Sequence, residues 1–207
     1  MLKLLKEIKI KKQVRNKSRS VINSDYNLMA GRNVYTLNTK NFETPHEFRP
    51  NKGVYVKDIK SSSHPPCVKN AYAKAIEILE MFAPKYAGDS EKKYVVVQFM
   101  KMSTGRYVKL HIDDQDIDMQ YMFSLGSGKC DTVICDDQGH EKKRVQIHER
   151  IFCMDGRIHH KLDSSNLNGT RYSVVYFKLS DPRYSKPAPV RKQSYFLSTL
   201  PGSKSKN

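Results

Sequence analysis

A chain of 207 residues, 38% hydrophobic and 10% aromatic, can build one core with short extensions, and this excludes an array of large domains. No apolar stretch approaches the ~20 residues of a spanning helix, so a helical membrane protein is excluded and no membrane partner is expected. Four cysteines (Cys67, Cys130, Cys135, Cys153) and no secretion-type leader point away from a disulfide framework, towards free thiols in a reducing, intracellular compartment, nucleus or cytoplasm. The basic, acid-poor start also leaves a transit peptide open.

The formal net charge is +16, and thirteen of those charges sit at the two ends. Residues 1–20 hold eight Lys/Arg against Glu7 alone, and residues 183–207 hold six with no acid. Three segments follow: a basic N-terminal arm over 1–33 with room for a short helix, a central domain over 34–180, and a basic Pro- and Ser-containing tail over 181–207. Basic arms on a balanced body suit a polyanion, DNA or RNA, although solvated tails have the same composition. Tyr26, Tyr184, Tyr195 and Phe196 lie near the arms, where they would either stack on bases or pack.

Short strands are expected around Val34–Leu37 and Val54–Val56. Residues 66–83 form the clearest helix: Val68, Ala71 or Tyr72, Ala75 or Ile76, Leu79 and Phe82 recur at spacings of three and four, and Pro84 stops it. From Tyr94 the period changes to that of strands, expected at 94–100, 107–111, 119–125, 132–135, 144–147, 150–154 and 172–179. Turns fall at 103–105, 126–128, 136–139, 155–156 and 168–169. Many short strands with regular turns mean a sandwich or barrel.

The chemistry begins at His111-Ile112-Asp113. Residues two apart at a strand end share a side, so an imidazole and a carboxylate can meet one metal ion. Two histidines and one carboxylate make the facial triad of non-haem iron(II) oxygenases, and the missing histidine is one of His140, His148, His159 and His160. The last two follow Asp155-Gly156-Arg157, and Asn168-Gly169 then suggests a hairpin that sets Arg171 beside the distal histidine. Arg171 suits bidentate capture of a carboxylate, and Ser173, two residues on, could add a hydroxyl. A rival is a zinc site from Cys130 and Cys135 with His140, His148 or Cys153. The acidic run Asp113–Asp118 reads as a solvated loop, or as part of the site entrance.

The order His-x-Asp, distal His, then Arg-x-Ser resembles the 2-oxoglutarate/iron(II) dioxygenases. Phe123-Ser124-Leu125-Gly126, Asp155-Gly156-Arg157-Ile158-His159-His160 and Gly169-Thr170-Arg171-Tyr172-Ser173 look most like the TET/base-J-protein branch, which oxidises methyl groups of nucleic-acid bases. The resemblance covers about residues 94–179. It implies an all-β core with flanking helices, namely a double-stranded β-helix (jelly-roll, cupin-like). It also implies His111, Asp113 and His160 as catalytic metal ligands, with His160 preferred to His159 by the family's Asp-Gly-Arg-x-x-His spacing, and Arg171 and Ser173 as the 2-oxoglutarate-binding pair. Iron(II) would be the cofactor and 2-oxoglutarate and O2 the co-substrates, with ascorbate as a reductant. The expected activity is hydroxylation of a C–H bond, on the methyl group of 5-methylcytosine or thymine, with release of succinate and CO2. A protein side chain or small metabolite is the alternative substrate, and a non-enzymatic zinc- or nucleic-acid-binding module the second alternative. The chain departs from the branch after Leu125-Gly126, where Ser127-Gly128-Lys129-Cys130 replaces the usual Gly-Gly turn.

Overall fold

The computed structural model describes residues 1–9, 21–31, 56–60, 64–88, 93–113, 116, 118–180 and 196–200. The core is eight consecutive strands: β4 (Lys93–Met102), β5 (Tyr107–His111), β6 (Met119–Gly126), β7 (Asp131–Cys135), β8 (Glu141–Val145), β9 (Arg150–Asp155), β10 (His160–Asp163) and β11 (Arg171–Ser180). Within each sheet β4 pairs with β11, β5 with β10, β6 with β9 and β7 with β8, all antiparallel. This is the pairing of one long hairpin. Rolling it up brings β11 against β6 and β10 against β7. The product is a double-stranded β-helix, with core orders β5-β10-β7-β8 and β9-β6-β11-β4 in two facing sheets.

Side-chain alternation decides what each face does. On β11, Tyr172, Val174 and Tyr176 point outward, into the cluster that also holds Phe99, Phe123, Val97 and the helices. Arg171, Ser173 and Val175 point inward. The interior holds Met122, Ile134, Val145, Ile147, Phe152 and Met154 in one cluster, and Met100, Met102, Val108, Cys130 and Leu167 in another.

The outer face is covered by α2 (Pro66–Phe82), which starts with proline at its first turn and ends at Ala83, just before α3 (Pro84–Gly88). Its buried stripe is Val68, Ala71, Tyr72, Ala75, Ile76 and Leu79, as the periodicity predicts, and Tyr176 Oη donates to the Ala75 carbonyl at 2.7 Å.

The ends differ from the expected arms wherever they are described. Helix α1 (Leu2–Glu7) buries Leu5 completely, and Ile8 is 4% exposed. Strand β1 (Ile22–Asn23) extends the five-stranded sheet beside β5. Strand β2 (Tyr26–Gly31) pairs with β4 and carries β3 (Val56–Asp58) in parallel. Tyr26 is a core residue whose hydroxyl donates to Leu5 O, so it is not a stacking platform. From the tail, β12 (Phe196–Thr199) adds to β9. A few amphipathic residues within a basic segment suffice to dock it. The expected strand at Val34–Leu37, together with Tyr184 and Tyr195, lies outside the described residues.

One connection corrects the sequence reading. β10 belongs to the five-stranded sheet and β11 to the seven-stranded one, so Asn168-Gly169 is part of a crossover between sheets, not a hairpin. Leu167, 2% exposed, plugs the interior and anchors this crossover, while Gly169 at φ 98 turns the chain where a Cβ would press on Ser127 Oγ. Arg171 therefore faces the distal histidine across the interior instead of lying beside it.

Candidate metal centre and anion pocket

The end of β5 and the start of β10 are partners, with His160 opposite His111 in register. Their rings lie 4.2 Å apart between centroids. Each ring is fixed from behind: His111 Nδ1 donates to the Lys109 carbonyl at 2.8 Å and His160 Nδ1 to the Ile158 carbonyl at 2.7 Å. A carbonyl only accepts, so both Nδ1 atoms carry the proton and both Nε2 atoms present a lone pair. His111 Nε2 lies 3.7 Å from Asp113 Oδ1, and His160 Nε2 lies 3.5 Å from Asp113 Oδ2. The ligand atoms of His111, Asp113 and His160 all fall within 4.8 Å of one another, the one such group among the described residues.

Burial and the neighbouring His160 hold His111 below its ordinary pKa, which keeps it neutral for ligation. Burial raises the Asp113 carboxyl, but the His160 and His111 rings and the Gln120 amide outweigh it and leave its pKa below the usual value. Two imidazoles and one carboxylate fit a divalent first-row metal with open coordination positions. The Asp113 side chain is 38% exposed against 9% for His160, so the centre opens to solvent on the carboxylate side.

The loop geometry explains why Asp-Gly-Arg precedes the distal histidine. Asp155 is 1% exposed, and its carboxylate accepts from Arg157 Nε at 2.9 Å, Nη2 at 2.6 Å and the Arg157 amide at 3.0 Å. This closed turn directs the Gly156 carbonyl to the Asp113 amide at 2.8 Å. A Cβ at Gly156 would fall against Gln120 Nε2 and Asp116 Oδ2, so only glycine leaves room for that pair.

Gln120 has no role in the sequence reading, and Asp116 enters it only as part of the acidic run. The Gln120 amide donates to Asp113 Oδ2 at 2.7 Å and to Asp116 Oδ2 at 2.5 Å, and it is 3% exposed. Asp116 is 5% exposed, and burial together with the Asp113 charge pushes its pKa well above the ordinary 3.8. Asp118 lies 3.6 Å from Lys178 Nζ. The described part of the acidic run is thus built into the structure and is not a solvated loop. The signal for Gln120 was present: it holds an inward position on a strand otherwise alternating with Met122.

The remaining histidines and cysteines separate. His159 points to Asp137 at 3.5 Å, away from the centre, and His140 to Asp136 at 3.4 Å. Cys130 packs inside the barrel, whereas Cys153 lies in register with the outward-facing Tyr121, and no cysteine-containing metal group forms among the described residues.

Across the interior, Arg171 is 1% exposed and Ser173 is 2% exposed; a guanidinium Nη1 donates to Ser173 Oγ. Burial lowers the Arg171 pKa, Nε has no hydrogen-bond partner, and no ion pair links it to an acid among the described residues. A buried, unpaired guanidinium is costly unless an anion meets it. A carboxylate fits this donor set.

No protein-family model matches the sequence, and no curated protein shows significant similarity to it. Among solved structures the chain is similar to a 2OG-Fe(II) oxygenase family oxidoreductase from Burkholderia pseudomallei, with TM-score 0.41 and 14% identity over 52% of this chain and 55% of that one. It is similar to a prolyl-4-hydroxylase from Pseudomonas putida, with TM-score 0.36 and 14% identity over 58% and 68%. It is also similar to a deletion mutant of Bacillus subtilis oxalate decarboxylase, with TM-score 0.32 and 15% identity over 56% and 26%. The chain thus spans about half the length of the first of these.

Proposed function

We propose that this chain is an iron(II)- and 2-oxoglutarate-dependent dioxygenase. The carrying observation is the pairing of two features in one interior: a His-Asp-His group with both Nε2 lone pairs available, and a buried Arg171 without an acidic partner. Bound iron(II) would supply oxygen activation coupled to decarboxylation of 2-oxoglutarate to succinate and CO2. His111, Asp113 and His160 would hold the ion. Arg171 and Ser173 would bind the far carboxylate. The apolar interior of Met100, Met102 and Val108 excludes water from the co-substrate.

The proposed substrate is a methylated nucleic-acid base, 5-methylcytosine or thymine, in DNA or RNA. The +16 charge and the resemblance of residues 94–179 support it. The base would have to be flipped or single-stranded for its methyl group to reach the metal. Succinate formation from 2-oxoglutarate, with ascorbate as reductant, tests the chemistry: His111→Ala and Asp113→Ala abolish it, and equal turnover by all three proteins rejects the assignment. Mass spectrometry of nucleosides after incubation with methylated DNA or RNA tests the substrate. Co-substrate turnover with no altered nucleoside would move the substrate to a protein side chain or metabolite.

A further inference from the structure

Arg171 Nε is one of several buried polar atoms without a hydrogen-bond partner; others are Ser124 Oγ, His148 Nδ1 and Thr132 Oγ1. Strand register brings three of these four to one place. Ser124 lies opposite Ser173 across β6 and β11, so their side chains rise from the same, inner face, as does Arg171 two residues before Ser173. His148 forms a parallel bridge with Ser124: the Ser124 amide donates to Ile147 O at 3.0 Å, and the Glu149 amide donates to Ser124 O at 2.8 Å. These two bonds bracket His148 and turn its side chain to that same face. Burial holds the imidazole below its ordinary pKa, and the Lys129 and Arg171 charges act in the same direction. Its one acidic neighbour, Glu149, is 49% exposed and lies 3.9 Å from the other nitrogen, Nε2.

The inner face of the seven-stranded sheet therefore gathers a guanidinium, two hydroxyls and an imidazole. Each can donate a hydrogen bond, and no acid is paired with Arg171 among the described residues. An apolar ligand would leave these donors unmet, and a cation would be repelled. A carboxylate has two oxygens and about four acceptor sites to meet them. Among the histidines considered for the metal, His148 stands instead at the Arg171 end of the interior.

Resting on the dioxygenase reading above, we infer that His148 and Ser124 bind the co-substrate's distal carboxylate together with Arg171 and Ser173. Both are positioning and specificity residues for a 2-oxodicarboxylate. Neither takes part in holding the metal.

Calorimetric titration of the full chain loaded with manganese(II) tests this without turnover. The probes are 2-oxoglutarate, which has a distal carboxylate, and pyruvate, which presents the same 2-oxoacid end without one. A hydrogen bond to a charged group corresponds to roughly a 10- to 100-fold change in affinity. His148→Leu is expected to weaken 2-oxoglutarate binding by about that much, and Ser124→Ala by about 3- to 10-fold. Pyruvate and manganese(II) affinities stay unchanged in both variants. His148→Asn, whose amide nitrogen can occupy the place of Nδ1, recovers most of the loss. Unchanged 2-oxoglutarate binding in His148→Leu and Ser124→Ala overturns the inference, and so does an equal loss for both probes, which marks a merely structural role. Failure of the unaltered, metal-loaded chain to bind 2-oxoglutarate at all overturns the dioxygenase reading itself.

Discussion

At the scale of single residues, the metal centre depends on one amide. Gln120 divides its two N–H donors between Asp113, a proposed ligand, and Asp116, a buried acid. Gln120→Leu keeps the volume and removes both bonds, freeing Asp113 to rotate and leaving two carboxyls without their donor. Partners of metal ligands at this remove typically contribute 10- to 100-fold in affinity, so manganese(II) titration of Gln120→Leu should show a loss of about that size. Asp116 gives a second test, in the metal-free protein. Its folded pKa lies above 3.8, chiefly through burial and the Asp113 charge, so the folded state holds a proton that the unfolded chain releases as pH rises. Its contribution to stability therefore falls with rising pH, from about pH 4 up to the raised value. Asp116→Asn should flatten that part of the stability curve and raise the melting temperature at neutral pH more than at pH 4.5. A variant whose pH dependence matches the unaltered chain would contradict this account.

At the scale of elements, period and punctuation made most of the fold legible. The strand over 107–111 and the helix over 66–82 follow directly from alternation, from a three-four stripe and from Pro84. What the sequence concealed was pairing. Asn168-Gly169 has the composition of a hairpin turn, yet the chain there changes sheets, because Leu167, just before it, is drawn into the interior and local turn chemistry does not record that. The site was legible in part for the same reason. His111, Asp113, His160, Arg171 and Ser173 stand out by residue type. Gln120, Ser124 and His148 become conspicuous only once the inward face is known, as polar residues in apolar company. The helix–sheet contact can be tested alone. Tyr176 is fully buried and its hydroxyl donates to Ala75 O, so Tyr176→Phe preserves the packing and removes one hydrogen bond. Urea denaturation should show a loss of about 1 kcal/mol with little change in metal binding.

At the scale of the whole molecule, charge and packing overlap in the N-terminal segment, and this changes how nucleic-acid binding must be tested. Removing residues 1–20 would delete basic charge but would also strip Leu5 and Ile8 from the core cluster they share with Tyr26, Ala71 and Leu79. Weaker binding by such a truncation would then report unfolding as readily as lost contacts. Lys3, Lys6 and Lys9 are exposed on the same segment and can be neutralised without touching that core. The triple change to Gln should leave the unfolding free energy within about 1 kcal/mol of the unaltered chain, as surface substitutions generally do. If these lysines meet phosphates, each contributes about 0.7 to 0.9 to the slope of log affinity against log salt, so the slope should fall by up to about 2 to 3. Affinities for methylated oligonucleotides measured at four or five salt concentrations give that slope. An unchanged slope would remove Lys3, Lys6 and Lys9 from the interface and leave the other five basic residues of 1–20 and the six of 183–207 to test.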